Sequence, residues 1–460
     1  MTTNRREFFK RSAAAGALVS VPYSWAQAAS SSPKEDNRRT VAAIGVGGSR
    51  GAFSQGTGIA MRASQLGRMI AVCDVDVIHA GEFNAKFDNK LAMYGDYRQL
   101  LEREKPQIVT IGTPDHWHVP IAIAALHAGC DVYCEKPLTL TIDEGKRIRD
   151  VVKQTGKVFQ VGTQQRSENE SRFLKAIAIV QSGRLGKKIK AHAAIGGGPV
   201  GGPFKTEKPV AGLNWDMWQG GAQEADYSPE RRKEFRWYFD YSGGKMTDWG
   251  AHHIDIAQWA LGKDHSGPVK ISGTGKFTPI VPDKFDWVAY LAGKEKLPNG
   301  YQTASKFNIA LEYDNGSTLN VCDEYVSDDG KTKHENGILF EGDEGRIFVN
   351  REKLTGKPVE EMTKDEQRKL DEEVVKLYGG RQPGNHMKNF FDCVESRGTP
   401  ISDVETHHRT MTSAHLCNIA LMLGRELKWN PQKEEFEGDE QAMMLMSRPK
   451  RDKFSWKATT

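Results

Sequence analysis

The chain has 460 residues, 64 Lys and Arg against 60 Asp and Glu, and six cysteines. This length predicts two domains, each large enough to bury a core. Residues 1–28 account for +3 of the total charge of +4, so the remainder of the chain is close to neutral at about +1. That balance gives no sign of the basic patch or stripe that binds nucleic acid. The cysteines lack the spacing of a metal site, and buried free thiols are expected.

The N-terminus has the pattern of an exported protein. Arg5 and Arg6 are followed by Phe8, by a mildly apolar run and by the small-residue stretch at 26–28. A basic amphipathic helix is the alternative interpretation, but the paired arginines with Phe8 favour a signal. The motif resembles twin-arginine signals, which export folded proteins, often with a cofactor inside. Residues 1–28 are therefore a predicted signal peptide, and the expected location is the periplasm or the cell surface. The apolar run is too short to span a bilayer, so no transmembrane span is expected in the mature chain.

After a predicted linker at 29–40, short apolar runs alternate with helical patterns. The runs include VAAIGVGG, MIAVCDVD, IVTIGTP, DVYCEKP and KVFQVGT. Strands that alternate with helices form parallel βαβ units. The sequence therefore predicts an α/β domain over residues 41–163 with a doubly wound parallel sheet of the Rossmann type.

From residue 164 onward, the pattern indicates strands joined by turns, as in a largely antiparallel sheet. Helical patterns interrupt it at 169–182, 248–261, 384–396 and 405–424. Residues 164–460 are thus a predicted α+β domain. The highly charged stretch TGKPVEEMTKDEQRKLDEEVVKLYGG is expected to be a solvated insertion rather than a site.

The turn after the first strand, AIGVGGSRG, partly matches a dinucleotide fingerprint. Gly45 and Gly47 have the expected spacing, but Arg50 occupies the third glycine position and Gly51 comes one residue late. An ordinary glycine turn is the alternative. The next strand ends in Asp74, which can accept both hydroxyls of an adenosine ribose and repel a 2′-phosphate, although Asp is also common in turns. NAD is therefore favoured over NADP. The cofactor-binding candidates at this end are Gly45, Gly47, Gly48, Arg50, Gly51 and Asp74.

Two further strands end in polar residues at the same carboxyl edge of the sheet, where open α/β sheets bind ligands. The first supplies GTPDHWH and the second supplies CEKP. Lys136 there could be a partly desolvated donor or acid, or an ordinary surface lysine before a turn proline. The candidates at this edge are Thr113, Pro114, His116, His118, Glu135 and Lys136.

The stretch DWGAHHIDIAQWAL, 248–261, is expected to be a helix that separates its ionisable groups. Asp248, His252 and Asp255 share one stripe, whereas His253 points toward an apolar side. The shared face could be exposed to solvent, but the flanking tryptophans argue against that. It could also bind a metal, but the set lacks the spacing of known zinc motifs, and no metal is expected.

The motifs GTPDHWH, CEKPLT and DWGAHHID together resemble the Gfo/Idh/MocA (glucose–fructose oxidoreductase, inositol dehydrogenase and rhizopine catabolism) family, over nearly all of the mature chain. The C-terminal tract resembles the exported bacterial branch. The resemblance implies an NAD(P)-binding Rossmann domain, and a second domain whose open sheet often serves oligomerisation as a dimer or tetramer. By correspondence His252 would be the general base, Asp248 would orient the substrate, and Lys136 would hydrogen-bond the reacting oxygen. Asp255 would anchor the helix.

The family's substrates are usually sugars, cyclitols or glycosides, and aromatic faces beside Arg and Asp suit sugar rings. Core packing is the alternative for any single aromatic residue. The candidates for substrate binding are Gln164, Arg166, Trp215, Trp218, Arg236 and Tyr241.

Three functions compete at this point. The first is an exported NAD-dependent oxidoreductase with tightly bound cofactor that acts on a secondary alcohol. The second is a redox-neutral glycosidase, in which oxidation, elimination and re-reduction leave the cofactor unchanged; it needs a second base, for which Tyr241 is a candidate. The third is a sugar-binding protein without turnover, which the presence of Lys136, Asp248 and His252 together argues against.

Overall fold

The computed structural model describes residues 36–51 and 54–455. The proposed signal peptide at 1–28 and most of the linker lie outside these residues. Within the two described stretches, no helix has both the length and the apolar character needed to cross a membrane.

The N-terminal domain is built on a six-stranded sheet in which every neighbouring pair is parallel. The spatial order is β3-β2-β1-β4-β5-β6. The strands are β1 Thr40–Ile44, β2 Arg68–Cys73, β3 Ala92–Tyr94, β4 Ile108–Ile111, β5 Asp131–Cys134 and β6 Phe159–Val161. The order reverses between β1 and β4, which is where doubly wound sheets open a ligand crevice.

Five helices connect these strands and cover both faces of the sheet. They are α1 Gln55–Leu66, α2 Val77–Ala85, α3 Tyr97–Glu104, α4 His118–His127 and α5 Ile142–Thr155. Local sequence sets their ends. In α5, for example, the Thr141 side chain accepts a hydrogen bond from the Glu144 amide at the start, and Gly156 takes a left-handed conformation (φ 62°) at the end.

The second domain contains a nine-stranded mixed sheet of order β15-β14-β13-β7-β10-β9-β8-β16-β17, in which only β7 and β10 are parallel neighbours. Its strands are β7 Lys190–Ala194, β8 Lys270–Lys276, β9 Lys306–Glu312, β10 Thr318–Cys322, β13 Gly337–Gly342, β14 Gly345–Val349, β15 Leu354–Thr355, β16 Leu427–Asn430 and β17 Glu435–Phe436. A separate hairpin consists of β11 Tyr325–Val326 and β12 Lys333–His334. The predicted fold class is confirmed.

The helices of this part include all four that the sequence predicted. They are α6 Arg172–Gln181, α7 Trp215–Gln219, α8 Pro229–Lys233, α9 Lys245–Asp248, α10 Gly250–Ala260, α11 Trp287–Leu291, α12 Lys357–Glu360, α13 Lys364–Leu377, α14 His386–Ser396, α15 Val404–Leu423 and α16 Glu440–Met444. The charged stretch expected to be a solvated insertion forms α12 and α13. Helix α13 buries Val374 and packs Leu370 and Leu377 against the core of this domain, while most of its charged side chains are exposed.

The C-terminal half of the chain also contributes to the N-terminal domain. Met387, Phe390 and Phe391 of α14 belong to the same buried cluster as Val41 and Ala43 of β1. Each buried phenylalanine stabilises the fold by roughly 1.5–3 kcal/mol. The boundary between residues 163 and 164 remains a prediction, since packing crosses it. All six cysteines are free and buried.

Candidate active site

A cleft of about 390 Å³ lies between the two domains, at the carboxyl ends of β1, β2, β4 and β5. Helix α10 and the turn after β14 close it from the other side. Fourteen of the predicted residues line it: Gly45, Gly47, Gly51, Asp74, Thr113, Pro114, His118, Glu135, Lys136, Gln164, Trp218, Arg236, Asp248 and His252.

The glycine turn after β1 approaches its neighbours too closely for side chains. Gly45 and Gly47 have positive φ angles of 73° and 64°, and a Cβ at Gly45 would lie 2.4 Å from Thr113 Cγ2. The close contact with helix α1 is made by Gly56, where a Cβ would lie 2.0 Å from the Gly45 carbonyl oxygen. Gly56 thus performs the packing role that the fingerprint assigned to position 50, because α1 begins only at Gln55.

Asp74 is positioned by backbone hydrogen bonds where β2 ends. Its Oδ2 accepts from the amides of Val46 (3.0 Å) and Gly47 (3.2 Å), and its Oδ1 accepts from the amide of Asp76 (2.9 Å). Burial raises the pKa of this carboxyl group. The carboxylate therefore braces the glycine turn at the same time as it borders the cleft.

A segment of the second domain crosses the turn that follows β2. The Val77 amide donates to the Gly212 carbonyl (3.0 Å), and the Asn214 amide donates to the Val75 carbonyl (2.9 Å). Asp76, buried beneath this segment, forms ion pairs with Arg50 (2.8 Å) and Arg232 (2.5 Å). These contacts join the two domains at the end of the cleft beside the glycine turn and Asp74.

Lys136 and Asp248 meet at the other end of the cleft. Lys136 follows β5 and Asp248 ends α9, and Lys136 Nζ lies 2.6 Å from Asp248 Oδ1. Arg236 Nε lies 3.2 Å from the same oxygen. Although Asp248 is only 13% exposed, these cations hold the pKa of its carboxyl group well below the usual range. An ionised carboxylate thus orients an ammonium group in the cleft.

His252 lies one helical turn after Asp248 and is buried. Burial lowers the pKa of its imidazole well below the usual 6.5, and the charges of Lys136 and Arg351 lower it further. The imidazole is therefore neutral at physiological pH and can accept a proton. The other ionisable residues of the stretch lie elsewhere: His253 Nε2 contacts Asn336 Oδ1 (3.1 Å), and Asp255 binds Arg166.

Two of the predicted cofactor-binding residues lie outside the lining of the cleft at the glycine turn. Arg50 pairs with Asp76 and donates to the Ala211 carbonyl (3.0 Å). Gly48 packs beside α2, where a Cβ would lie 2.3 Å from Glu82 Oε2. Both residues belong to the longer loop before α1, which carries them away from the crevice.

The two histidines of GTPDHWH point in different directions because a single turn of 3₁₀ helix, Asp115–Trp117, separates them. His118 lines the cleft, and its ring nitrogens contact the carbonyls of Pro137 (2.6 Å) and Thr113 (2.8 Å). His116 lines a second cavity instead, with Nε2 2.8 Å from the Trp218 carbonyl. Burial lowers the pKa of His116 to about 3.

Three predicted substrate residues are also absent from the lining of the cleft. Trp215 lies behind Trp218, with their rings stacked at a centroid distance of 4.7 Å. Tyr241 is fully buried, its hydroxyl lies 3.4 Å from Arg231 Nη1, and burial raises its pKa. The sequence does not distinguish Trp215 and Tyr241 from Trp218, which does line the cleft. Tyr241 is thus poorly suited to act as a base at neutral pH.

The third, Arg166, is a structural residue. It is 2% exposed and binds Asp255 through two hydrogen bonds of 2.7 and 2.8 Å. Its Nη2 also donates to Asp264 (2.9 Å), and its Cζ lies 4.4 Å from the centroid of the Trp259 ring. The guanidinium group is therefore occupied within the core between α10 and its neighbours.

Replacing Arg166 by methionine should lower the free energy of unfolding by about 3–5 kcal/mol, because Asp255 would stay buried without its cation. Urea unfolding measures the change, and the double variant Arg166→Met/Asp255→Leu should recover much of the loss. Unchanged stability together with a raised KM would instead show that Arg166 contributes to substrate binding.

The sequence analysis missed several residues that line the cleft. Gln55 and Trp249 lie beside predicted residues, so proximity to the motifs was their only signal. Arg351 reaches the cleft from the turn between β14 and β15, roughly a hundred residues after His252. Nothing in the local sequence around Arg351 connects it with the other site residues.

Two family models match the chain. One, described as "Oxidoreductase family, NAD-binding Rossmann fold", matches residues 39–163. The other, "Oxidoreductase family, C-terminal alpha/beta domain", matches residues 201–277 and 298–456. The chain belongs to this Gfo/Idh/MocA oxidoreductase family. Its first domain is therefore an NAD-binding Rossmann domain, as predicted.

Curated members of the family are similar over part of their length. Inositol 2-dehydrogenase of Salmonella typhimurium is 28% identical over 143 residues, 31% of this chain and 42% of that protein. D-glucoside 3-dehydrogenase of Escherichia coli is 26% identical over 202 residues, 42% of this chain and 46% of that protein. The chain thus spans about half the length of the curated relatives it matches.

Solved structures share the fold at low sequence identity. The WlbA dehydrogenase from Bordetella pertussis, in complex with NADH and UDP-GlcNAcA, has a TM-score of 0.58 and 14% identity over 86% of this chain and 99% of that chain. Myo-inositol 2-dehydrogenase from Lactobacillus plantarum has a TM-score of 0.53 and 18% identity over 85% and 99%. These likenesses establish the architecture.

The residues present fit NAD. The turn at Gly45 and Gly47 leaves space that a Cβ would fill, α1 directs its N-terminus toward the turn, and Asp74 ends β2 beside it. Gly45, Gly47, Thr113 and Pro114 would hold the dinucleotide along the carboxyl edge of the sheet. Asp74 would bind the adenosine ribose.

Proposed function

We propose that the protein is an NAD-dependent oxidoreductase acting on a secondary alcohol of a sugar, cyclitol or glycoside. The observation that carries this proposal is the 2.6 Å Lys136–Asp248 pair, which lies with His252 in the same cleft as the glycine turn. A donor, an ionised orienting group and a neutral base are what alcohol oxidation requires of a protein.

When bound, NAD supplies an acceptor for the hydride of the carbinol carbon. The neutral imidazole of His252 takes the hydroxyl proton, and the Lys136 ammonium donates a hydrogen bond to the reacting oxygen. Asp248 keeps the ammonium in place by accepting from Nζ. Gln164, Trp218 and Arg236 line the same cleft and would contact the sugar.

The rate should depend on pH through His252. Because its pKa is lowered from 6.5, the imidazole stays neutral as the pH falls through 6.5 and gains its proton only in more acidic solution. The acidic limb of the kcat/KM profile should therefore lie below pH 6.5, with full activity above that value. A profile whose acidic limb lies at or above pH 6.5 would contradict the assignment.

We further propose that NAD is preferred over NADP because of Asp74. Replacing Asp74 by alanine should reduce the ratio of NAD to NADP affinity, since the carboxylate no longer repels a 2′-phosphate. Titration calorimetry with each dinucleotide measures this ratio. An unaltered preference in Asp74→Ala would show that another residue determines it.

The signal peptide predicted at 1–28 motivates a further proposal about location. A twin-arginine signal would carry the folded protein, with its cofactor, to the periplasm or the cell surface, where it would act as a homo-oligomer. The cofactor would then have to be regenerated in place. Fractionation of cells that express the full chain, compared with an Arg5→Lys/Arg6→Lys variant, tests the location. Unchanged distribution in that variant would contradict it.

Mass spectrometry of sugars incubated with the protein and NAD tests the function. The proposal predicts a product that has lost two hydrogen atoms, with one reduced cofactor for each. A glycoside cleaved without net reduction of the cofactor would instead show the redox-neutral glycosidase, which would need a base other than the buried Tyr241. Bound sugar without any product would show a binding protein.

A further inference from the structure

Lys136, Arg236 and Arg351 line the substrate end of the cleft. Lys136 and Arg236 share one carboxylate, Asp248. Arg351 lies over the ring of Trp249, which lines the same end, and among residues 36–51 and 54–455 no carboxylate oxygen lies within 4.0 Å of its guanidinium nitrogens.

Arg351 is held in a defined orientation even though it is solvent-exposed. Its Cζ lies 4.7 Å from the centroid of the Trp249 ring. In the amide orientation that satisfies both of its polar atoms, Gln165 accepts from Arg351 Nε (3.2 Å) and donates to the His252 carbonyl (3.2 Å). The two terminal nitrogens have no acceptor among the described side chains and carbonyls. A planar guanidinium group fixed at Nε can present the fork formed by these two nitrogens to the cleft that Arg351 lines.

Lys245 is a second cation at the same aromatic ring. Its Nζ lies 6.0 Å from the centroid of Trp249, and its side chain is partly buried. Burial and the charges of Lys136 and Arg236 lower its pKa, while Asp248 opposes that change. Lys245 is absent from the lining of the cleft, so Arg351 is the cation over the Trp249 ring that faces the substrate space.

Two further carboxyl groups that line the cleft accept hydrogen bonds from neutral side chains. Glu135 accepts from Gln55 (3.3 Å) and Gln164 (3.0 Å), and Asp115 accepts from Ser242 (2.5 Å). Both are buried, and burial raises the pKa of each. Glu168, whose charge also acts on Arg351, pairs with Arg62 (3.0 Å).

Resting on the proposed function, we propose that the substrate is a sugar acid, and that Arg351 binds its carboxylate. A carboxylate matches the planar fork of Arg351 through two parallel hydrogen bonds. Arg351 thus selects acidic sugars, such as uronates, over their neutral counterparts.

Calorimetry with matched pairs of neutral and acidic sugars tests this inference: glucose with glucuronate, galactose with galacturonate, and methyl glucoside with the corresponding glucuronide. The protein is loaded with NADH, so that binding is measured without turnover. At least one acid should bind about 10- to 100-fold more tightly than its neutral partner. Arg351→Met should bring that ratio close to one, and Arg351→Lys should restore it only in part.

Lys353→Met is the matched control, because Lys353 is exposed on the same turn and its Nζ lies over Phe348 instead; it should keep the full ratio. Preference for the sulfated or phosphorylated sugar over the uronate would overturn the assignment of a carboxylate. The inference would be overturned if acids and neutral sugars bind equally, or if no acid binds. It would also be overturned if Arg351→Met weakens the binding of acids and of neutral sugars by the same factor. The proposed function fails separately, if an acid binds through Arg351 but no sugar is oxidised.

Discussion

Replacing His252 by alanine should lower kcat by about 10²- to 10⁴-fold, the usual contribution of a general base. The residue is the neutral imidazole at the substrate end of the cleft. Both ring nitrogens of His118 contact backbone carbonyls, and His79 lies beside Asp74 and Asp76 at the other end. Affinity for NAD should be retained, because the glycine turn and Asp74 lie at the other end. Steady-state rates and calorimetry with NAD measure the two effects.

His253→Gln provides the matched control for this experiment. His253 is the next residue of α10 and is also buried, but its Nε2 faces Asn336 rather than the cleft. Its replacement should leave kcat within a small factor of the parent value. Full turnover in His252→Ala, or loss of NAD binding in it, would contradict the role assigned to His252.

Replacing Lys136 by methionine should lower kcat by about 10²- to 10³-fold, the cost of removing one donor to a developing oxyanion. The same change leaves Asp248 paired with Arg236, whose Nε lies 3.2 Å from Asp248 Oδ1. Because Lys136 and Asp248 act as a unit, the double variant Lys136→Met/Asp248→Asn should lose less than the product of the two single effects.

Lys153→Met, at an exposed position on α5, controls for the removal of a lysine charge. It should leave both kcat and KM unchanged. If Lys136→Met raises KM while kcat is preserved, Lys136 contributes to substrate binding in general rather than to the transition state. Strictly multiplicative effects of the two single changes would show that Lys136 and Asp248 act independently.

Much of this architecture is readable from local sequence patterns. Alternating apolar runs and helical segments predict the parallel sheet, because its strands are buried on both faces. The helical periodicity of 248–261 places Asp248 and His252 on one stripe, and α9 and α10 bring them to one wall of the cleft. Strand ends carry Asp74 and Lys136 to one edge of the sheet by topology alone.

Side-chain direction and long-range contacts are not readable in this way. Arg166 and Gln164 are two residues apart, yet Gln164 lines the cleft whereas Arg166 turns into the core toward Asp255. The fingerprint predicts that the residue at position 50 packs against the glycine turn, but Gly56 makes that contact. The length of the loop before α1 determines which residue makes it. Arg351 reaches the cleft only because of how the second sheet packs against the first domain. No local sequence pattern encodes that packing.

The most direct test follows the absorbance of reduced nicotinamide when NAD and a panel of neutral and acidic sugars are mixed with the purified protein and with His252→Ala. The account predicts a lasting rise with at least one sugar for the parent protein, and a rise slowed by about 10²-fold or more for the variant. No rise with any sugar, or an equal rise in both proteins, would contradict it.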